Sequence, residues 1–137
     1  MTHETIEEAR DATLHDLSAL KSRDERLRYI LRAGRTAPRL ADRERTADAM
    51  LDGCTAATWL QVGQEAERFR FRGDSEAVMV RGLMAILFRV YDNRTRDEIS
   101  AVPTSFLKEA GILSTLSANR RNGITHLCQR IEGPEPK

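Results

Sequence analysis

The stretch Asp52-Gly53-Cys54-Thr55-Ala56-Ala57-Thr58-Trp59 sets one thiol between a turn-forming glycine and the chain's single tryptophan. Glycine permits a sharp turn and a close backbone approach, and the small Thr55, Ala56 and Ala57 leave room around the sulfur. Such a setting suits a cysteine that exchanges sulfur with a visiting protein. It also suits a small buried hydrophobe, which is how most free cysteines behave. Attack on a carbon substrate would need a base, usually a histidine oriented by a third group. His126 is the only histidine in the second half of the chain, and spacing alone does not bring it to Cys54. His3 and His15 lie in or near an N-terminal helix and read as solvated surface. Thiol–persulfide exchange needs only a thiolate and a leaving sulfur, so it is the chemistry favoured where no base is at hand.

Cys128 reads differently. It follows Leu127 and lies four residues after Ile124, on the apolar face of a helix, where cysteine is a compact packing residue rather than a resolving thiol. Two cysteines and three histidines offer no CxxC or HxxxH spacing for zinc and too few thiolates for an iron–sulfur cluster, so no metal site is expected.

At 137 residues, 40% hydrophobic and 31% charged, the composition is that of a single soluble domain. The net charge of +1 gives no electrostatic reason to bind nucleic acid or an anionic membrane. The start, Met1-Thr2-His3-Glu4-Thr5-Ile6-Glu7-Glu8, lacks the basic and apolar regions of a signal peptide, so a cytoplasmic, reducing location is expected.

The elements that must position Cys54 follow from pattern and punctuation. Ile6, Ala9, Thr13, Leu14, Leu17 and Leu20 predict an amphipathic helix over residues 4–20, packed on the core or on a partner. Ser22-Arg23-Asp24-Glu25 opens a second helix that Gly34 should end. Arg35 to Thr46, with Pro38 and alternating charges, reads as a surface linker. Three short antiparallel strands are expected: one through Ala47, Ala49 and Leu51, one over Thr58–Val62, and one at Phe69-Arg70-Phe71-Arg72. The Gly53-Cys54 loop would join the first two, and Gln64–Glu67 would turn between the last two. Ala77–Tyr91 is apolar nearly all round and predicts a central helix, with Asp74 as its N-cap. Thr95-Arg96-Asp97-Glu98 starts a short helix closed by Pro103, and another runs from Thr104 or Ser105 to Gly111. Ser117 caps a last helix carrying Ile124, Leu127, Cys128 and Ile131, and 133–137 should be a frayed tail.

Between Leu27 and Ile131 the chain resembles SufE, the sulfur-acceptor partner of a cysteine desulfurase in iron–sulfur cluster assembly. The resemblance is carried by Tyr29-Ile30-Leu31-Arg32-Ala33-Gly34, by Gly53-Cys54 with Trp59 five positions on, and by Gly73-Asp74-Ser75-Glu76-Ala77 leading to Val80-Arg81-Gly82-Leu83. Tyr91, Thr95 and Ile99 follow, then Leu116-Ser117-Ala118-Asn119-Arg120 and Asn122-Gly123-Ile124. It implies an α+β fold, a small three-stranded antiparallel sheet packed against several helices as in SufE and IscU. The organisation is then an N-terminal helix over 1–21, a SufE-like domain over 22–132 and the tail.

The resemblance implies that Cys54 takes persulfide sulfur from a SufS-type cysteine desulfurase, stimulates it and passes the sulfur to a SufBCD-type cluster scaffold. The protein is then a sulfurtransferase-like accessory, monomer or homodimer, with no cofactor of its own; pyridoxal phosphate belongs to the partner. Gly53, Trp59, Asp74 and Arg120 are implied as supporting or partner-contact residues. Asp74 is equally a helix cap, and Arg120 begins a helix whose macrodipole a cation opposes unless an anion compensates. Thr55-Ala56-Ala57 replaces the family's usual Gln-Ser-Gln, Thr58 a usual valine and Ala118 a common proline, which bears on which desulfurase is served. A CsdE-like acceptor for another desulfurase and a non-catalytic interaction module are the alternatives.

Overall fold

The computed structural model describes residues 4–54 and 56–136; Thr55 and His3, both singled out above, lie outside them. The chain runs α1 (Ile6–Ser18), α2 (Arg23–Thr36), β1 (Thr58–Glu65), β2 (Arg68–Ser75), α3 (Val78–Tyr91), β3 (Arg94–Thr95), α4 (Arg96–Ala101), α5 (Phe106–Glu109) and α6 (Ala118–Glu132), with short 3-10 turns at Asp42–Glu44 and Leu113–Thr115. The fold is α+β, as expected, with one antiparallel sheet in the order β1-β2-β3.

Helix α3 is the centre. Leu83, Leu87, Val90 and Tyr91 are wholly shielded from solvent, and the same core takes in Ile6 and Leu17 of α1, Ile30 of α2, Phe69 and Phe71 of β2, and Ile124, Leu127 and Ile131 of α6. The N-terminal helix therefore uses its apolar face for core packing. Thr5 and Glu8 cap it reciprocally, each accepting the other's backbone N–H at 3.0 Å.

Helix α2 is capped by Ser22, whose hydroxyl accepts from the Glu25 N–H at 3.1 Å. The Glu25 carboxylate reaches the N–H of Lys21 rather than that of Ser22. Gly34 does not end the helix, which continues to Thr36. Its missing side chain serves packing instead, since a Cβ built there would overlap the Val78 carbonyl oxygen of α3. Gly82 of α3 returns the same contact against the Ile30 carbonyl oxygen. Two glycines thus let two helix backbones touch.

The sheet departs from expectation at both ends. Residues 46–51 form no strand: Thr46 Oγ1 and its carbonyl both accept from the Ala49 N–H, and this turn chemistry overrides the weak alternation of Ala47, Ala49 and Leu51. Only an isolated bridge, Met50 with Trp59, remains of the expected pairing. The third strand is Arg94–Thr95, paired with Phe69 and Arg68, too short to show any period in sequence. β1 and β2 are eight residues each and run in register from Thr58 opposite Ser75 to Glu65 opposite Arg68. The reversal is thus confined to Ala66 and Glu67, with Ala66 at φ 55°. Phe69 and Phe71 face the core and Arg70 and Arg72 the outside, as their alternation predicted.

Two further corrections concern charge. Asp74 does not cap α3; it lies within β2, one residue before its end, and the cap residue is Ala77, whose N–H donates to Ser75 Oγ at 3.1 Å. Residues 35–46 are no free linker, because Leu40 is buried and Arg39 and Arg45 are drawn onto Asp74. At the other end the expected frayed tail is held as far as Pro134, which is buried and accepts from Arg96 at 3.0 Å.

Candidate functional site

The Cys54 segment is a loop closed at its base by the Leu51 N–H donating to the Thr58 carbonyl at 2.8 Å and by the Leu60 N–H donating to Ala49 at 2.8 Å. Its outgoing leg is tied down. Ala57 accepts from the Glu76 N–H at 2.9 Å and from Ser75 Oγ at 3.2 Å, and the hydroxyls of Thr58 and Ser75 lie 2.8 Å apart. Gly53 turns the incoming leg with φ 82°, a left-handed conformation that side chains resist.

Cys54 is half-buried and packs at the edge of the core, a free thiol. What it meets is α6. A Cβ built on Gly123 would sit 3.0 Å from Cys54 Sγ, so any larger residue there would press the sulfur outward. One residue earlier, Asn122 Nδ2 donates to the Gly53 carbonyl at 3.1 Å. One turn later, the His126 ring lies over Gly53, with Nε2 2.5 Å from where a Cβ would project. Spacing could not bring His126 to the loop; the tertiary fold does, against Gly53. The readable signal was Asn122, Gly123 and His126 at i, i+1 and i+4, a set that shares one helix face.

The other cysteine stands apart. Cys128 is a free thiol further along α6, and burial, reinforced by the Glu132 carboxylate and opposed by a hydrogen bond with Thr104, pushes it up to about 11. It is protonated at neutral pH and a poor nucleophile.

Trp59 and Asp74 face each other across β1 and β2. Arg45 joins them: its guanidinium carbon is 5.5 Å from the indole centroid, and its Nη2 and Nε donate to Asp74 Oδ2 at 2.7 and 3.2 Å. Asp74 also accepts from Arg39 Nε at 2.7 Å, the Leu40 N–H at 3.1 Å and the Ser75 N–H at 2.8 Å. Its side chain is entirely shielded from solvent. Burial works to raise its pKa, but Arg45, the backbone donors of Ser75 and Leu40, and Arg39 outweigh that and hold the carboxyl below its ordinary 3.8. A visiting surface therefore meets Arg39 and Arg45, which are partly exposed, and not Asp74 itself.

This hub is testable. Asp74→Asn leaves two guanidiniums and two buried N–H groups without their anion and lowers stability at pH 7 by about 2 to 3 kcal/mol, less than for a wholly buried pair because both arginines reach solvent. Because the folded carboxyl titrates below its unfolded value of 3.8, its contribution is complete above that value and is lost as pH falls through the folded one. Urea unfolding of both proteins should show a gap that narrows in acid. A gap unchanged with pH would remove the carboxylate from the account.

Arg120 is the third residue of α6, and its N–H donates to Ser117 Oγ, the expected cap, at 3.4 Å. Among the described residues its guanidinium has no hydrogen-bond or ion-pair partner. It lies one turn before Gly123, so an unpaired cation stands on the helix that backs Cys54. Among the described residues no three His, Cys, Asp or Glu side chains group to hold a metal ion, and no helix is long and apolar enough to cross a membrane.

A family model described as SufE, Fe-S metabolism associated domain, matches residues 11–134. The chain belongs to the SufE family. An uncharacterised SufE-like protein of Haemophilus influenzae is 35% identical over 121 residues, covering 87% of this chain and 96% of its own length. SufE-like proteins of Rhizobium etli and Rhizobium meliloti are 31% and 28% identical, covering 88% and 89% of this chain and 85% and 91% of theirs. The solution structure of a hypothetical protein from Thermus thermophilus superposes with a TM-score of 0.73 at 13% identity over 91% of each chain, a likeness of fold alone. SufE membership associates the chain with Fe–S metabolism. It leaves to chemistry the question of which atom does the work.

Proposed function

We propose that this SufE-family protein is a sulfur acceptor that takes persulfide sulfur from a SufS-type cysteine desulfurase onto Cys54, stimulates that enzyme, and passes the sulfur to a SufBCD-type cluster scaffold in the cytoplasm. The observation that carries the reading is the free Cys54 thiol in a tight glycine loop, half-shielded against Gly123 in a SufE-family chain. A shielded sulfur keeps a bound persulfide from water and stray thiols.

The step is an exchange. The Cys54 thiolate attacks the outer sulfur of the donor's Cys–S–SH; a new S–S bond forms at Cys54, the donor's S–S bond breaks, and its cysteine leaves as a thiolate. The outer sulfur keeps its oxidation state and its proton, so neither oxidant nor reductant is consumed. No cofactor of this chain takes part, and pyridoxal phosphate acts in the partner.

Arg120, with no internal anion, and Met50, the one large hydrophobic side chain among the described residues that is exposed (45%), at the base of the Cys54 loop, are proposed as partner contacts. Gly53 shapes the loop, and Trp59 and Asp74 fix the Arg45 and Arg39 surface beside it. Incubation with a SufS-type desulfurase and cysteine should add the mass of one sulfur atom to the protein and raise the desulfurase turnover. Stimulation with no added mass would leave a non-catalytic interaction module, and loading by a different desulfurase alone would assign the protein to the CsdE-like branch.

A further inference from the structure

Cys54 has one wall that the loop does not itself provide, the face of α6 made by Asn122, Gly123 and His126. The two larger residues of this face both act on Gly53, the residue before the thiol. Asn122 fixes its carbonyl by a hydrogen bond of 3.1 Å, and the His126 ring closes over the space where a side chain would stand. Between them Gly123 offers the thiol the bare helix surface. The outgoing leg has several hydrogen bonds to Ser75 and Glu76, whereas the described incoming leg has the single bond from Asn122 beyond the base of the loop.

We infer that Asn122 and His126 are positioning residues: they hold Gly53 on α6 and thereby keep the Cys54 thiol against Gly123, setting how often that thiol is presented to a partner. The inference rests on Cys54 as the reactive group. Asn122 is exposed on the helix and His126 half-buried, so neither belongs to the core whose loss would unfold the protein. Gly53 is doubly suited to this arrangement, since its left-handed turn and the ring above it both exclude a Cβ.

The test is the rate of Cys54 alkylation by iodoacetamide in the full chain, read by peptide mass, with Cys128 as internal reference. Asn122→Leu keeps the size and removes the donor without adding charge; it should alkylate Cys54 about fivefold faster, the factor one net hydrogen bond represents in an opening equilibrium. His126→Ala should also quicken it, and the double variant should be faster than either, with the melting temperature of each single variant lowered by no more than about 4 °C and the Cys128 rate unchanged. Asn122→Leu or His126→Ala reacting at the wild-type rate would overturn the inference. So would parallel acceleration at Cys128, which would mean general loosening. The measurement contains no desulfurase, so it stands or falls separately from sulfur loading itself.

Discussion

Cys54→Ser is expected to carry no sulfur after incubation with desulfurase and cysteine and to give no stimulation, while Cys128→Ser loads as the wild type does. The reason is how little thiolate Cys128 can present. A thiol pushed up to about 11 is ionised to about one part in ten thousand at pH 7, so Cys128 cannot compete for a persulfide even if a donor reached it. Its sulfur lies over the part of α6 that packs on the core, near Thr104 and Glu132, and not at a loop tip. Serine at 54 keeps the size and removes the nucleophile, so loss of loading would not reflect loss of fold. Sulfur found on Cys54→Ser, or lost from Cys128→Ser, would transfer the role to the other cysteine. Intact mass with each variant separates the outcomes in one experiment.

Gly82→Ala should destabilise the protein by about 3 kcal/mol or more, at or beyond the upper end for ordinary overpacking, and lower the melting temperature by about 10 °C. The added methyl would overlap the Ile30 carbonyl oxygen, a backbone atom inside α2 that cannot rotate aside. Relief requires α2 to move off α3, and Gly34 makes the reciprocal contact with Val78, so one methyl opens the whole seam. Gly63→Ala is the control: a Cβ on that exposed strand residue meets nothing within 4 Å and should be tolerated. Equal melting temperatures for Gly82→Ala and wild type would show that the two backbones do not touch in solution.

The same glycines show where reading the chain succeeds and where it stops. Gly34 was legible as a glycine near the end of a helical pattern, and local rules make that a stop signal. Its actual use depends on a second glycine 48 positions later, a relation no local window contains. Asp74 behaves likewise. Read locally it is an N-cap before an apolar helix; in the fold Arg39, Arg45 and the Leu40 N–H claim it first, and Ala77 is left to begin the helix. The strand expected through Ala47, Ala49 and Leu51 rested on three alternating positions, two of them alanine, and a threonine turn was enough to displace it. Where periodicity was long and strongly apolar, as in α3 and in Phe69 and Phe71 of β2, expectation and structure agree.

The sequence by itself singled out the cysteine proposed here as nucleophile and determined the turn glycine before it, the central helix, the caps at Ser22, Thr95 and Ser117, and the family, because each is written in neighbouring residues or in an ordered string of short motifs. Only the tertiary structure decided what surrounds the sulfur: Gly123 against it, Asn122 and His126 on Gly53, and Arg39 and Arg45 around a buried Asp74. Those contacts join residues 29 to 73 positions apart, and their geometry is fixed by how α6 and the sheet pack on α3, which depends on the summed burial of the whole core rather than on any local preference.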